Sequence, residues 1–203
     1  MNDYCIALNL NLKIFNSNLH PTEFIKTLPV WNDPRFTTPR GNKHLRIPKD
    51  LLDQNFVDFF NHHNVRLLAV EVFYTVPHGS NIIHSDVIPL DDVAKINWVY
   101  GGIGSVMEWY QVNSNYKTDT LADRAVATIA NSPTIRFLKE EVDLIHSQFV
   151  ECPSIVQVGC PHNMRNGTTE RFCISTIFEN TKTNKRVTID EAKELFKEFL
   201  MVL

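Results

Sequence analysis

The sequence predicts an antiparallel β core flanked by helices, and three observations carry that expectation. Short runs rich in β-branched and aromatic residues recur at 66–76, 94–100, 105–112, 142–150, 154–160 and 171–178, separated by Pro, Gly and Asn. An amphipathic segment precedes them and another follows. Hydrophobic residues make up 43% of the 203 positions, enough to bury a full core, which excludes intrinsic disorder.

The first amphipathic segment, 48–62, sets Leu51, Leu52, Phe56, Phe59 and Phe60 at helical spacing behind Pro48, which a first turn tolerates. The second helix is predicted within 188–201, because Thr188 and Glu191 form a T-x-x-E capping box ahead of Ala192, Leu195, Phe196 and Phe199. Residues 118–139 are ambiguous: 121–129 can be read as a helix, which Asn131-Ser132-Pro133 would end. No repeat or linker divides the chain. One domain over 1–203 is expected, with an N-terminal helical or irregular flank (1–65), the core (66–180) and the C-terminal helix (188–201).

Twenty Lys and Arg against twenty-three Asp and Glu give a formal charge of −3, without the strong basic excess that most nucleic-acid binders carry. The expected partner is a small molecule or a peptidyl group, not bulk nucleic acid. No apolar run reaches the roughly 18–20 residues that span a bilayer, and the first residues do not read as a signal peptide. Cys5, Cys152, Cys160 and Cys173 form no C-x-x-C pair. A reducing, cytoplasmic setting without membrane attachment is expected. Oligomeric state is not legible.

Asn166-Gly167 is a dipeptide preferred in two-residue type I′ hairpins. In that register His162 faces Arg171, Cys160 faces Cys173 and Val158 faces Ser175. The His162 and Arg171 Cβ atoms would then lie about 4.5–5.5 Å apart on one face of a hairpin. An ordinary polar pair near a strand end is the commoner fate of such residues.

Upstream, His84-Ser85-Asp86 puts an imidazole and a carboxylate at i and i+2, on one side of an extended strand. With His162 they make a two-histidine, one-carboxylate set, an arrangement that holds Fe(II) and leaves coordination positions open. A guanidinium such as Arg171, buried in a barrel, calls for an anionic ligand. A bare H-x-D is weak; its order with His162 and then Arg171 in a β-rich chain is what strengthens it.

In that order the chain resembles the Fe(II)- and 2-oxoglutarate-dependent oxygenases of the double-stranded β-helix (jelly-roll, cupin-like) fold, over about 67–178. The Lys95-Ile96-Asn97-Trp98 and Pro161-His162-Asn163 stretches look like small prolyl-hydroxylase-like members, including phage-encoded ones. The resemblance implies His84, Asp86 and His162 as iron ligands and Arg171 as partner of the distal 2-oxoglutarate carboxylate. It implies a dioxygenase that decarboxylates 2-oxoglutarate to succinate while hydroxylating an unidentified small-molecule or peptidyl substrate. The family's usual serine, two residues after the arginine, is replaced by Cys173; Ser175, the next inward position, is the substitute.

Tyr74, ten residues before His84, is a candidate cosubstrate contact or a half-buried strand aromatic. Asn97 and Lys95 share a strand face and either could reach 2-oxoglutarate, unless the face of Ile96, Trp98 and Tyr100 is the inner one. His146 is a rival ligand, more simply a core or edge histidine. His62 and His63 end a helix, His78 sits in a loop at the rim, and His20 and His44 have no evident partner. Cys160 and Cys173 read as small apolar fillers, and Gly101-Gly102-Ile103-Gly104 as a turn. Two further readings stay open: a non-catalytic cupin-like module for a metal or small anion, and a metal-dependent sugar isomerase or hydrolase.

Overall fold

The computed structural model describes residues 3–86, 92–116, 125–127 and 133–201. In chain order its strands are β1 (Cys5–Ala7), β2 (Lys43–Ile47), β3 (Val65–Thr75), β4 (His84–Ser85), β5 (Ala94–Gly101), β6 (Val106–Val112), β7 (Ala125–Ala127), β8 (Pro133–Arg136), β9 (Val142–Phe149), β10 (Ser154–Gln157), β11 (His162–Arg165), β12 (Arg171–Asn180) and β13 (Lys185–Arg186). The helices are α1 (Pro21–Thr27), α2 (Gln54–His62) and α3 (Ile189–Leu195). One antiparallel sheet runs β1-β10-β5-β12-β3-β2, with β13 against β12; the other runs β7-β8-β4-β11-β6-β9. From β3 to β6, and again from β9 to β12, the chain changes sheet at every strand. Two sheets wound together in this way are a double-stranded β-helix, so the core is all-β, jelly-roll and cupin-like.

The first sheet has two unlike faces because its central strands alternate. Val70 and Val72 on β3, Ile96 and Trp98 on β5, and Phe172, Ile174 and Phe178 on β12 face a core shared with Phe56 and Phe60 of α2, Ala192 of α3 and Phe196 just after it. Each fully buried large apolar side chain here contributes about 1.5–3 kcal/mol. The opposite face looks toward the second sheet. One end of that interior is apolar, filled by Val99, Met107, Trp109, Val156, Met164 and Cys173. The remainder is polar and hollow.

The helices are shorter than the sequence predicts. The α2 helix starts at Gln54 because the Asp53 carboxylate accepts the Asn55 backbone N–H at 2.9 Å, leaving Lys49–Leu51 as a separate 3₁₀ turn. Asn64, at φ 57°, follows its C-cap. The Thr188 and Glu191 capping box forms, but α3 ends at Leu195 and Lys197–Phe199 is a 3₁₀ turn. Residues 125–127 are strand, not helix; the rest of the helix read over 121–129 lies outside the described residues. Among the described residues no helix is long and apolar enough to cross a membrane.

The Asn166-Gly167 hairpin does not form. The β11 strand pairs with β4 and β6, while β12 pairs with β3 and β5 in the other sheet. Neither residue takes positive φ. Asn166 instead pins a corner between the sheets, its amide donating to the carbonyls of Thr75 (3.1 Å), Val76 (2.8 Å) and Thr169 (2.8 Å). Gly167 is needed for a different reason: a Cβ there would lie 1.8 Å from the Ile103 carbonyl oxygen. The register-based pairs of His162 with Arg171 and Cys160 with Cys173 therefore do not exist, and all four cysteines are free.

Candidate metal centre

His84 and His162 are direct cross-strand partners on β4 and β11, with ring centroids 4.4 Å apart. Asp86 follows at the end of β4, on the same side as His84, while Ser85 between them is fully buried on the other side. One ligand atom from each of His84, Asp86 and His162 lies within 4.8 Å of the others. The histidine orientations suit coordination. The Nδ1 atoms donate to backbone carbonyls, His84 to Ile82 at 2.9 Å and His162 to Cys160 at 3.0 Å. That fixes the tautomers and leaves each Nε2 lone pair for a metal.

A chain of buried charge supports the carboxylate. The Lys95 ammonium lies 2.7 Å from Asp86 and 3.2 Å from Glu71, whose other oxygen is 3.4 Å from His44 Nε2. His44 in turn stacks on Phe73 at 4.3 Å. Burial alone would push Asp86 up, but Lys95, then His162 and His84, hold it well below the usual carboxylate range. Burial likewise opposes the charges on Lys95 and Glu71. Their carboxylate and ammonium partners outweigh it, raising Lys95 and lowering Glu71. Burial, and then the neighbouring His84, lowers His162 to about 4, so its imidazole is neutral and a competent ligand at neutral pH.

The metal-ligand set stands where two hollows meet. The inner cavity, about 60 Å³, runs from the triad past Asn97, Cys173 and Ser175 to Arg171. Arg171 is only 3% exposed, its Nε has no hydrogen-bond partner, and no carboxylate among the described residues pairs with it. The Asn97 Oδ1 is also buried without a partner among the described residues. Ser175 lies between Glu71 and Asn97 in the cross-strand row. Gly102, at φ 69°, makes room for Arg171; a Cβ there would come within 2.7–2.9 Å of the arginine's Cβ, Cγ and Cδ. The outer chamber, about 390 Å³, shares Phe73, Asn81, His84, Asp86 and Lys95 with the inner one and extends between Thr38–His44 and β8.

His84, Asp86, His162, Arg171, Asn97 and Ser175 are thus brought together, although His162 and Arg171 come from facing sheets. Lys95 and Asn97 share the inner face, and Ile96, Trp98 and Tyr100 the helical one. Tyr74 borders the outer chamber but not the inner cavity; its ring packs on the helical face against Trp31 and Phe172, and its hydroxyl donates to Glu170 at 2.7 Å. Burial, and then Glu170, push that hydroxyl up to about 12. His146 stacks on Tyr4 at 5.3 Å, away from the triad. His78 sits at φ 58° in a turn and lines neither hollow. His63 caps α2 and meets Glu198, and His20 meets Thr22. Glu71 and the role of His44 escape sequence reasoning. Their only signal was one acid inside the apolar run of β3.

The chain is a cupin-like double-stranded β-helix protein with an interior His/Asp/His set able to hold a metal ion. The sequence matches no protein-family model and no curated protein. Among solved structures it is similar to an oxalate oxidase in complex with the substrate analogue glycolate, at 17% identity and TM-score 0.37, covering 93% of this chain and 79% of that one. It is also similar to a cupin-like protein from Thermotoga maritima MSB8 (11%, 0.28, covering 77% and 86%) and to apo HygX from Streptomyces hygroscopicus (13%, 0.33, covering 63% and 65%). These likenesses are remote, and strand order defines the fold.

Proposed function

We propose that the protein is an Fe(II)- and 2-oxoglutarate-dependent dioxygenase that hydroxylates a small-molecule or peptidyl substrate. The single observation that carries this reading is a buried Arg171 without a carboxylate partner among the described residues, facing the same cavity as the His84, Asp86 and His162 set. Two neutral imidazoles and one carboxylate suit Fe(II) and leave positions for a chelating 2-oxo acid. Bound there, iron would supply the oxygen chemistry that couples decarboxylation of 2-oxoglutarate to succinate with oxidation of substrate.

The chain's own residues bind and orient. Arg171 offers a planar fork to the distal carboxylate of 2-oxoglutarate, and Asn97 and Ser175 offer polar atoms beside it. Lys95 holds Asp86 ionised, and the carbonyls of Ile82 and Cys160 hold the imidazoles in their ligating tautomers. The apolar end of the interior, sealed where Trp109 Nε1 donates to the Gln157 carbonyl at 2.9 Å, keeps bulk water from that side.

The test is anaerobic addition of Fe(II) and then 2-oxoglutarate, watching for a visible metal-to-ligand charge-transfer band, followed by air and assay of succinate. The wild type should show both, and His162→Ala neither. A folded, metal-binding wild type with no band and no succinate would leave the non-catalytic module as the reading.

A further inference from the structure

The outer chamber has a charge pattern that the metal centre does not explain. Three cations line it without a carboxylate partner among the described residues: Arg40, Lys43 and Arg136. The two carboxylates that line it, Glu71 and Asp86, are both held by Lys95, and Glu71 also by His44. A chain of net charge −3 therefore concentrates unbalanced positive charge around one cavity.

The placement of these cations is specific. Arg136 on β8 stands directly opposite His84 on β4, so its exposed guanidinium begins one strand from a metal ligand. Lys43, cross-strand from Tyr74, borders the chamber, but its ammonium turns to the other face, held by the Trp31 carbonyl at 2.8 Å and the Thr37 hydroxyl at 2.9 Å. Arg40 lies three residues before it, in the exposed approach to β2. A volume of about 390 Å³ is that of a small-molecule site. Focused positive potential in such a cleft attracts anions and holds them by charge-assisted hydrogen bonds.

We propose that the outer chamber binds a small molecule bearing a carboxylate or phosphate group, anchored on Arg136 with Arg40 opposite. An anion seated there leaves the rest of the molecule beside His84 and Asp86. The role as substrate site rests on the dioxygenase reading; the anion site itself does not.

Calorimetry on Mn(II)-loaded protein, with N-oxalylglycine as an unreactive 2-oxoglutarate analogue in the inner cavity, tests this with phenyl phosphate, benzoate and uncharged benzyl alcohol. At least one of the two anions should bind about tenfold or more tighter than the alcohol, and the stronger identifies the group. Arg136→Gln should weaken that anion about tenfold. Bound phenyl phosphate should show ³¹P relaxation enhanced by the manganese. Equal binding of anions and alcohol, or no change in Arg136→Gln, would overturn the proposal. Selective anion binding in protein that takes no N-oxalylglycine would instead keep the chamber and sink the dioxygenase reading.

Discussion

The Lys95 end and the Arg171 end of the interior hold buried cations on one face of one sheet, 4% and 3% exposed, in opposite electrostatic situations. Lys95 lies between two carboxylates, Asp86 and Glu71. Arg171 has none among the described residues, and Gly102 gives up its side chain to let the arginine through. A cation paired on both sides is complete; a buried cation without a partner is costly until an anion arrives. The first end supports the His84, Asp86 and His162 set that could hold a metal ion, and the second is where the proposed reading seats an anion.

The sharpest way to break this contrast is Lys95→Met. It leaves Glu71 and Asp86 as buried acids without their counter-ion, and metal-free protein should lose about 3–5 kcal/mol in urea unfolding. The loss should shrink with metal bound, because Asp86 regains a cation. An unchanged midpoint would mean that the ion pairs carry no weight.

Acid should act on the same end. His162 is held down to about 4 by burial and then His84, whereas the unfolded imidazole titrates near 6.5. Between those values the unfolded chain binds the extra proton, so stability is present above pH 6.5 and falls as pH drops toward 4. The full effect is on the order of 3 kcal/mol in metal-free protein. Urea midpoints measured at steps across that window check it, and a flat profile would show that the imidazole is not buried neutral.

At the other end the sign reverses. Arg171→Met removes an unpaired buried charge, so metal-free protein should keep its stability or gain about 1–3 kcal/mol, read as melting temperature. A loss comparable to that of Lys95→Met would erase the distinction between the two cations. Smallest is Gly102→Ala, whose positive φ and contact with the arginine stem should cost about 1 kcal/mol and weaken anion binding by displacing Arg171. Unaltered anion affinity there would show that the glycine does not position the guanidinium.

Much of the site was legible because its chemistry is local. His84 and Asp86 share a strand face by simple alternation, and Asn97 shares one with Lys95 for the same reason. The six β-rich runs and the Thr188 capping box were legible on similarly local grounds. What failed was long-range. Asn166-Gly167 looked like a hairpin because positive φ is its common use, yet here the asparagine side chain binds three carbonyls of a corner and the glycine serves close approach to Ile103. His162 and Arg171 nevertheless face one cavity, because facing sheets of a wound pair achieve what one hairpin was expected to do. Alternation alone does not say which face is inner, and Tyr74 borders the outer chamber but not the inner cavity. Its neighbour Phe73 faces the cavity, and Tyr74 turns to Glu170. Glu71, His44 and Arg136 needed the registers of β2 with β3 and of β4 with β8, which no local pattern supplies.

The central claim is that Arg171 and the metal set together hold one 2-oxoglutarate, and calorimetric titration of 2-oxoglutarate into anaerobic Fe(II)-loaded protein tests it most directly. The account predicts binding that requires the metal and that weakens about a hundredfold in Arg171→Met, with iron affinity unchanged. Equal 2-oxoglutarate affinity in wild type and variant, or binding indifferent to iron, would contradict it.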